Sequence, residues 1–325
     1  VTVFIIRRLM QAVLVLIVMS LLVFVGVYQI GDPIEILIAP DANQIEREEA
    51  RARLGLDKPM WEQYGLFVLN AMSGDLGRSF VYNQPPLAVI FERMPATLEL
   101  ALVAMLLTVA VGIPLGLIAG LRPDSIVGKT IMAGSVIGFS LPSFWVGLTL
   151  IMVFAVQLQV LPSTGRGAVT TLFGVPSSLW TTGGWSHVIL PAFNLALFNI
   201  ALTIRLIRAG AREAMLSDYV RFARAKGLAS RRVIGVHVLK NIMIPVVTIL
   251  GLEFGGVIAF AVVTESIFAW PGMGKLIIDS INLLDRPMIV AYLMLIVFIV
   301  ILINLVVDVL YCVLDPRVRL TDVGR

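Results

Sequence analysis

The sequence predicts an all-α membrane protein with six transmembrane helices, and three observations carry that prediction. Hydrophobic residues make up 58% of the 325 and charged residues only 14%, with a mean hydropathy of +0.95. The apolar residues gather in six runs, each long enough to cross a hydrocarbon core of about 30 Å at about 1.5 Å per helical residue. Lys and Arg border these runs, so the net charge of +4 and pI near 9.4 reflect a positive-inside distribution rather than a nucleic-acid surface. A single cysteine, Cys312, permits no internal disulfide.

Taken in order, the first span is placed at about 9–30, behind Arg7 and Arg8. No small-residue cleavage pattern precedes Gly31-Asp32-Pro33, which predicts a retained anchor with its N-terminus inside. Residues 1–30 thus form the first of three regions. Residues 31–95 are polar and acidic and are expected to form a small extracytoplasmic subdomain between the first and second helices. A helix is expected from Gln44 to Leu54, and Trp61, Tyr64, Phe67 and Leu69 supply apolar surface to bury. The third region, 96–325, holds spans near 97–121, 131–156, 187–207, 242–263 and 288–311, with a long basic loop at 207–241. Six crossings return the C-terminus to the cytosol and leave sixteen of the 25 Lys and Arg in inside segments.

Within this core, Pro114 and Pro142 predict kinks. Gly112-x-x-x-Gly116, and Gly251 with Gly255 and Gly256, predict close helix approach. The segment from Leu161 is rich in Gly, Ser, Thr and Pro and reads as irregular. Thr264 to Gly274, with Phe268 and Trp270, reads as an interfacial or re-entrant piece buried against the spans.

The long basic loop has its own organisation. From Arg205 to Lys240 there are nine Lys or Arg against Glu213 and Asp218, the mark of a cytoplasmic loop. Ser217 or Asp218 is placed to cap a helix from Tyr219 to Lys226, and Gly227 to stop it. Helical spacing sets Tyr219, Phe222 and Ala223 on one face and Arg221 with Arg224 on another. Ser230 is placed to cap a second helix carrying Val233, Val236 and His237 toward the next span.

Tyr219, the run Arg221-Phe222-Ala223-Arg224-Ala225-Lys226-Gly227-Leu228, then His237-Val238-Leu239-Lys240-Asn241 and Pro245-Val246-Val247-Thr248 resemble the cytoplasmic EAA loop of ABC importer permeases. The form is that of the dipeptide and oligopeptide branch; Arg221 stands where the general motif has Glu. Similar marks lie elsewhere: Gly31-Asp32-Pro33, Gly74-Asp75-Leu76-Gly77, Pro95-Ala96-Thr97-Leu98-Glu99-Leu100, Trp270-Pro271-Gly272, Asn304-Leu305-Val306-Val307-Asp308 and Asp315-Pro316-Arg317.

The resemblance implies a six-helix fold of the ABC importer permease type in a bacterial-type inner membrane. Tyr219 to Leu228 becomes the coupling helix that sits in a groove of a cytosolic ATPase. The implied partners are a second homologous permease, two ATPase subunits, an extracytoplasmic substrate-binding protein and membrane lipid, with no nucleic acid. The chain then catalyses nothing and holds no cofactor, ATP and Mg belonging to the ATPases. Its implied cargo is a di- or oligopeptide; glutathione, nickel complexes and oligosaccharides are carried by relatives with the same pattern.

Other signals for chemistry fail on their own mechanics. Gly128-Lys129-Thr130 ends like a phosphate-binding loop, but Pro123 stands where that motif requires glycine. His187 and His237 border different spans and belong to no zinc motif. A central charge in a span costs about 2.5 to 3.5 kcal/mol, so Glu99, Asn194, Asn199, Arg205, Glu253, Asn304 and Asp308 need a reason to be there. Asn304 and Asp308 share a helix face and read as helix packing or subunit contact. Asn194, Asn199 and Glu253 flank the basic loop and read as either packing or the lining of a translocation path. Arg205 reads as a snorkelling side chain. An autonomous channel or proton-coupled carrier would need a relay, which the spacing of Glu99, Glu253 and Asp308 does not make.

Overall fold

A computed structural model describes residues 2–28, 34, 38, 43–53, 55–172 and 174–314; the Gly31-Asp32-Pro33 and Asp315-Pro316-Arg317 motifs lie outside the described residues. Among the described residues, five helical spans are long and apolar enough to cross a membrane: Ile6–Val27, Pro86–Leu121, Thr182–Leu216, Ser230–Ile267 and Arg286–Leu310. Between the second and third of these lies a bent pair of apolar helices, Ile126–Ser140 and Ser143–Gln157, whose halves meet at 105°; the count is six where the pair is taken as one broken span. The kink expected at Pro142 is thus a full break. Proline withholds an N–H from the ladder and holds Leu141 in an extended conformation (φ −78°, ψ 133°), so the helix ends and restarts. Pro114 has a milder effect. The π-helical turn Thr108–Gly112 precedes it, widening the ladder where the proline lacks its donor, and the span continues to Leu121.

The chain divides into two compact units, residues 1–95 with 271–301 and residues 96–270 with 302–325. In the first, α1 (Thr2–Tyr28) is followed by α2 (Gln44–Arg53), α3 (Met60–Met72) and the start of α4 (Pro86–Leu107). Helix α3 packs on α1 through aromatic rings, with Phe24 5.4 Å from Tyr64 and 5.8 Å from Phe67 between centroids. The Tyr64 hydroxyl lies 2.9 Å from Ser20 Oγ. Trp61 and Leu69 do not join this core; they are 76% and 65% exposed, Leu69 lying on the far side of α3 from Tyr64 and Phe67 and Trp61 at the edge of their face, one turn before Tyr64.

The second half of this unit holds α12 (Met273–Asn282) and the beginning of α13 (Arg286–Leu314). Asp285 is fully buried before α13. It accepts hydrogen bonds from the hydroxyl of Ser79 and from the N–H groups of Phe80 and Met288. One carboxylate therefore caps a span and pins the segment after α3.

The second unit is organised by α8 (Thr182–Leu216), a 35-residue helix capped by Thr181, whose Oγ1 accepts from Gly184 N–H at 3.0 Å. It packs against α5 (Ile113–Leu121), α6 (Ile126–Ser140), α7 (Ser143–Leu150) and α11 (Leu239–Ile267). The α5 contact is a glycine stripe. Gly112, Gly116 and Gly120 face Thr203, Ile207 and Ala211, and a Cβ on each glycine would lie 2.9, 2.7 and 2.7 Å from those side chains. The repeat of four on both helices gives direct backbone approach, as expected for Gly112 and Gly116 and extended here by Gly120. Gly251 similarly receives Val307, which a Cβ would meet at 2.5 Å. Asn304 and Asp308 flank Val307 in sequence and are half-buried.

The segment after the bent pair is not wholly irregular. It contains the hairpin β1 (Thr170–Leu172) and β2 (Val175–Ser177), antiparallel with Thr170 opposite Ser177. Glu99 holds it in place. Its carboxylate, 5% exposed, pairs with Arg166 Nη2 at 2.6 Å and accepts from Ser178 N–H and its hydroxyl. The same guanidinium nitrogen also donates to Pro176 O at 2.9 Å. Glu99 is thus answered by the lone cation between the third and fourth spans, not by a proton relay.

Arg166→Ala is expected to strand that buried carboxylate, costing about 3–5 kcal/mol. Limited proteolysis in detergent should then cut between 161 and 181 in the variant and spare the wild type.

Phe268 and Trp270 are buried, as a piece packed against the spans requires. The Trp270 indole donates to Ala96 O at 2.9 Å, and Thr97 donates to the buried Glu265 at 2.6 Å.

Candidate functional site

Two constructions in the second unit have the character of sites. The first is α9 (Asp218–Ala225), which follows α8 after a one-residue break at Ser217. Val220 and Ala223, at 0% and 4% exposure, sink into a cluster with Ile207, Ala211, Val233, Val238 and Ile242. The C-terminal stop is a Schellman turn. Gly227 N–H donates to Arg224 O at 2.9 Å and Leu228 N–H to Ala223 O at 3.3 Å, with Gly227 at φ +76°. That left-handed conformation suits glycine.

Sequence spacing placed Ala223 with Tyr219 and Phe222, and here the structure differs. Ala223 belongs to the buried face with Val220, while Tyr219 and Phe222 are 41% and 62% exposed. Nor does Ser217 cap through its side chain, because its hydroxyl donates back to Ala214 O. Ser230 is the first residue of α10 (Ser230–Arg232) rather than its cap, and Val236 is exposed. The result is a short helix fixed from below and aromatic on its outer side. Lys226 Nζ lies 4.5 Å from the Phe222 ring centroid, and Arg221 pairs with Asp218 at 3.5 Å. That exposed pair contributes little. Arg221, Arg224, Ala225, Lys226 and Gly227 are exposed, and Leu228 packs beside the cluster.

The second construction is a cavity of about 400 Å³ lined by the start of α7, the middle of α8 and the middle of α11. Asn194, Asn199 and Glu253 all contribute to its wall, with Phe198, Phe260 and Thr264. Asn194 donates to Thr264 Oγ1 at 3.0 Å. Its Oδ1 and that of Asn199 are buried without a hydrogen-bond partner among the described residues. Glu253 is half-buried and makes no ion pair or hydrogen bond among the described residues. Beside the cavity, Phe198 stacks on Phe139 at 4.6 Å, and the Arg205 guanidinium lies 4.0 Å from the centre of the Phe139 ring. Arg205 is therefore held on an aromatic face.

Gly128 sits in the first turn of α6, where its N–H donates to Ser125 Oγ at 3.0 Å; it forms no phosphate loop. Among the described residues no three His, Cys, Asp or Glu side chains converge on a metal position. The pairing of Glu99 with Arg166 escaped sequence reasoning. Its signal was the rule that a carboxylate inside a span requires a cation, applied to the segment between the third and fourth spans, where Arg166 is the one Lys or Arg in the sequence.

A family described as binding-protein-dependent transport system inner membrane component matches residues 112–320, and the N-terminal part of such membrane components matches residues 1–101. The chain belongs to this family. The permease is 39% identical to the dipeptide transport system permease protein DppB of Escherichia coli, across 97% of this chain and 98% of that protein. It is 40% identical to the di/tripeptide transport system permease protein DppB of Pseudomonas aeruginosa, across 89% and 90%. Against the glutathione transport system permease protein GsiC of Escherichia coli it is 37% identical, across 97% and 98%. An inward-facing structure of the MetNI methionine ABC transporter covers 70% of the permease and 97% of its own chain, with a TM-score of 0.54 at 14% identity. That likeness shows the fold. The permease is the membrane-spanning subunit of an ATP-driven importer and a multi-pass inner-membrane protein.

Proposed function

We propose that the permease forms half of a translocation path for di- or oligopeptides and couples that path to cytosolic ATPases through Tyr219 to Leu228. The observation that carries this reading is α9, with Tyr219 and Phe222 held outward on a helix anchored by Val220 and Ala223. A rigid aromatic projection among cations suits a groove in a partner protein, where a few buried aromatic anchors supply most of the binding energy. The peptide assignment rests on the near full-length similarity to two peptide permeases; the same architecture with a glutathione cargo is the second reading, supported by the third relative.

In this account two ATPases, a second homologous permease and an extracytoplasmic binding protein complete the machine, and both termini lie in the cytosol. The chain itself catalyses nothing. ATP-driven closure of the ATPases moves α9 as a lever, and the motion passes through Ala211, Ala214 and Val233 into α8 and α11. Those helices carry Asn194, Asn199 and Glu253, so the path shifts between outward-open and inward-open states. Asn304 and Asp308 serve helix packing or subunit contact.

The test is uptake of a radiolabelled dipeptide by proteoliposomes holding the complete complex, with binding protein outside and ATP inside. Accumulation that requires both supports the reading. Uptake without ATP or ATPases would instead support an autonomous carrier.

A further inference from the structure

We infer that Glu253 gives the translocation cavity a preference for solutes bearing a protonated primary amine, so that the path recognises the free α-ammonium end of its cargo. The inference deepens the peptide-import reading and rests on it. It starts from the sign of the cavity. Of the described residues lining its roughly 400 Å³, Glu253 is the lone ionisable one, and none of them is a Lys or Arg that could answer it. A carboxylate elsewhere in this unit shows what a structural acid looks like. Glu99 is closed off by Arg166 and Ser178, and Glu265 accepts from Thr97. Glu253 makes no such bond among the described residues, although an unpaired acid at membrane depth is costly. Its wall position leaves its partner to come from whatever enters.

The second observation is independent of charge. Asn194 and Asn199, only 3% and 4% exposed, line the same cavity, and their buried side-chain carbonyl oxygens have no hydrogen-bond partner among the described residues. An amide presents both a donor and an acceptor, so these two side chains suit a peptide unit of any sequence. The carboxylate alone distinguishes one end of a peptide from the other. It accepts charge-assisted hydrogen bonds from an ammonium and repels a carboxylate terminus. Phe198 and Phe260 add ring faces that attract cations and tolerate apolar side chains. The cavity lies within the usual volume range of small-molecule sites, about 300–1,000 Å³. It therefore offers weak, sequence-tolerant contacts plus one polarity filter, which suits a path that must also release its cargo.

The test uses the purified complete complex, nucleotide-free and without binding protein, titrated separately with alanyl-alanine and with N-propionyl-alanine while saturation-transfer NMR reports binding. The second probe differs from the first by replacement of the ammonium with hydrogen. Wild type should bind alanyl-alanine about tenfold more tightly, as befits one charge-assisted contact. Glu253→Gln should bind the two equally, and Glu253→Asp should keep the preference. Equal affinities in wild type, no saturable binding of either probe, or a preference that survives Glu253→Gln each overturns the inference. ATP-dependent dipeptide uptake by the wild-type preparation is read in parallel. Uptake without the preference rejects the role of Glu253 alone, whereas absence of uptake rejects the import reading itself.

Discussion

Phe222→Asp is expected to abolish ATP-coupled uptake while leaving the permease folded in the membrane. The side chain is 62% exposed and α9 is held by Val220 and Ala223, so the substitution removes an anchor without opening the core. Loss of one aromatic anchor at the centre of an interface costs about 2 kcal/mol or more, roughly thirtyfold in affinity. Co-purification of the ATPases should fall accordingly. Replacing Arg221 and Arg224 together by Glu should act in the same direction by inverting the charge beside that anchor. Gly227→Pro should act through the backbone. Proline holds φ near −65°, whereas Gly227 sits at +76°, so the Schellman turn is lost and Leu228 is withdrawn from the cluster. Variants that co-purify with the ATPases and transport at the wild-type rate would show that α9 is not the docking element.

The second large effect is expected at Gly116→Leu. A Cβ there would lie 2.7 Å from Ile207 Cβ and 3.0 Å from Ile204 O. The backbone oxygen cannot rotate away, so α5 and α8 must separate over the whole stripe. Overpacking of this kind costs about 1–3 kcal/mol or more, and α8 carries both Asn194 and Asn199 into the cavity. The variant should show a lower thermal midpoint in detergent and lose uptake together with stability. Gly134→Leu is the matched control. Nothing lies within 4 Å of a Cβ at Gly134, so its midpoint should match wild type. A Gly116→Leu midpoint equal to that of Gly134→Leu would contradict the close approach of α5 and α8.

The elements most legible in the sequence were those set by local rules. Apolar run length placed the spans, and the glycine at 227 marked the end of α9 because only a left-handed residue closes that turn. Periodicity alone could not decide which face of α9 is buried. Ala223 is three residues from Val220 and four from Tyr219, so both faces satisfy helical spacing. The cluster from Ile207 to Ile242 selects Val220, and that cluster joins segments far apart in sequence.

The same limit explains Glu99 and Asp285. Their partners, Arg166 and Ser79, lie 67 and 206 residues away, and a single sequence does not report such pairings. The break at Pro142 was visible as a kink but not in size. One proline bends a helix; the extended Leu141 before it turns the bend into 105°.

The central claim is that this chain works as one membrane half of an assembly driven through α9. Its most direct test is affinity capture of the native complex from solubilised membranes, with subunits identified by mass spectrometry, for wild type and Phe222→Asp side by side. The account predicts a second six-span permease in both preparations and P-loop ATPases in the wild type, depleted at least tenfold in the variant. Recovery of the chain alone, or of ATPases undiminished by Phe222→Asp, would contradict it.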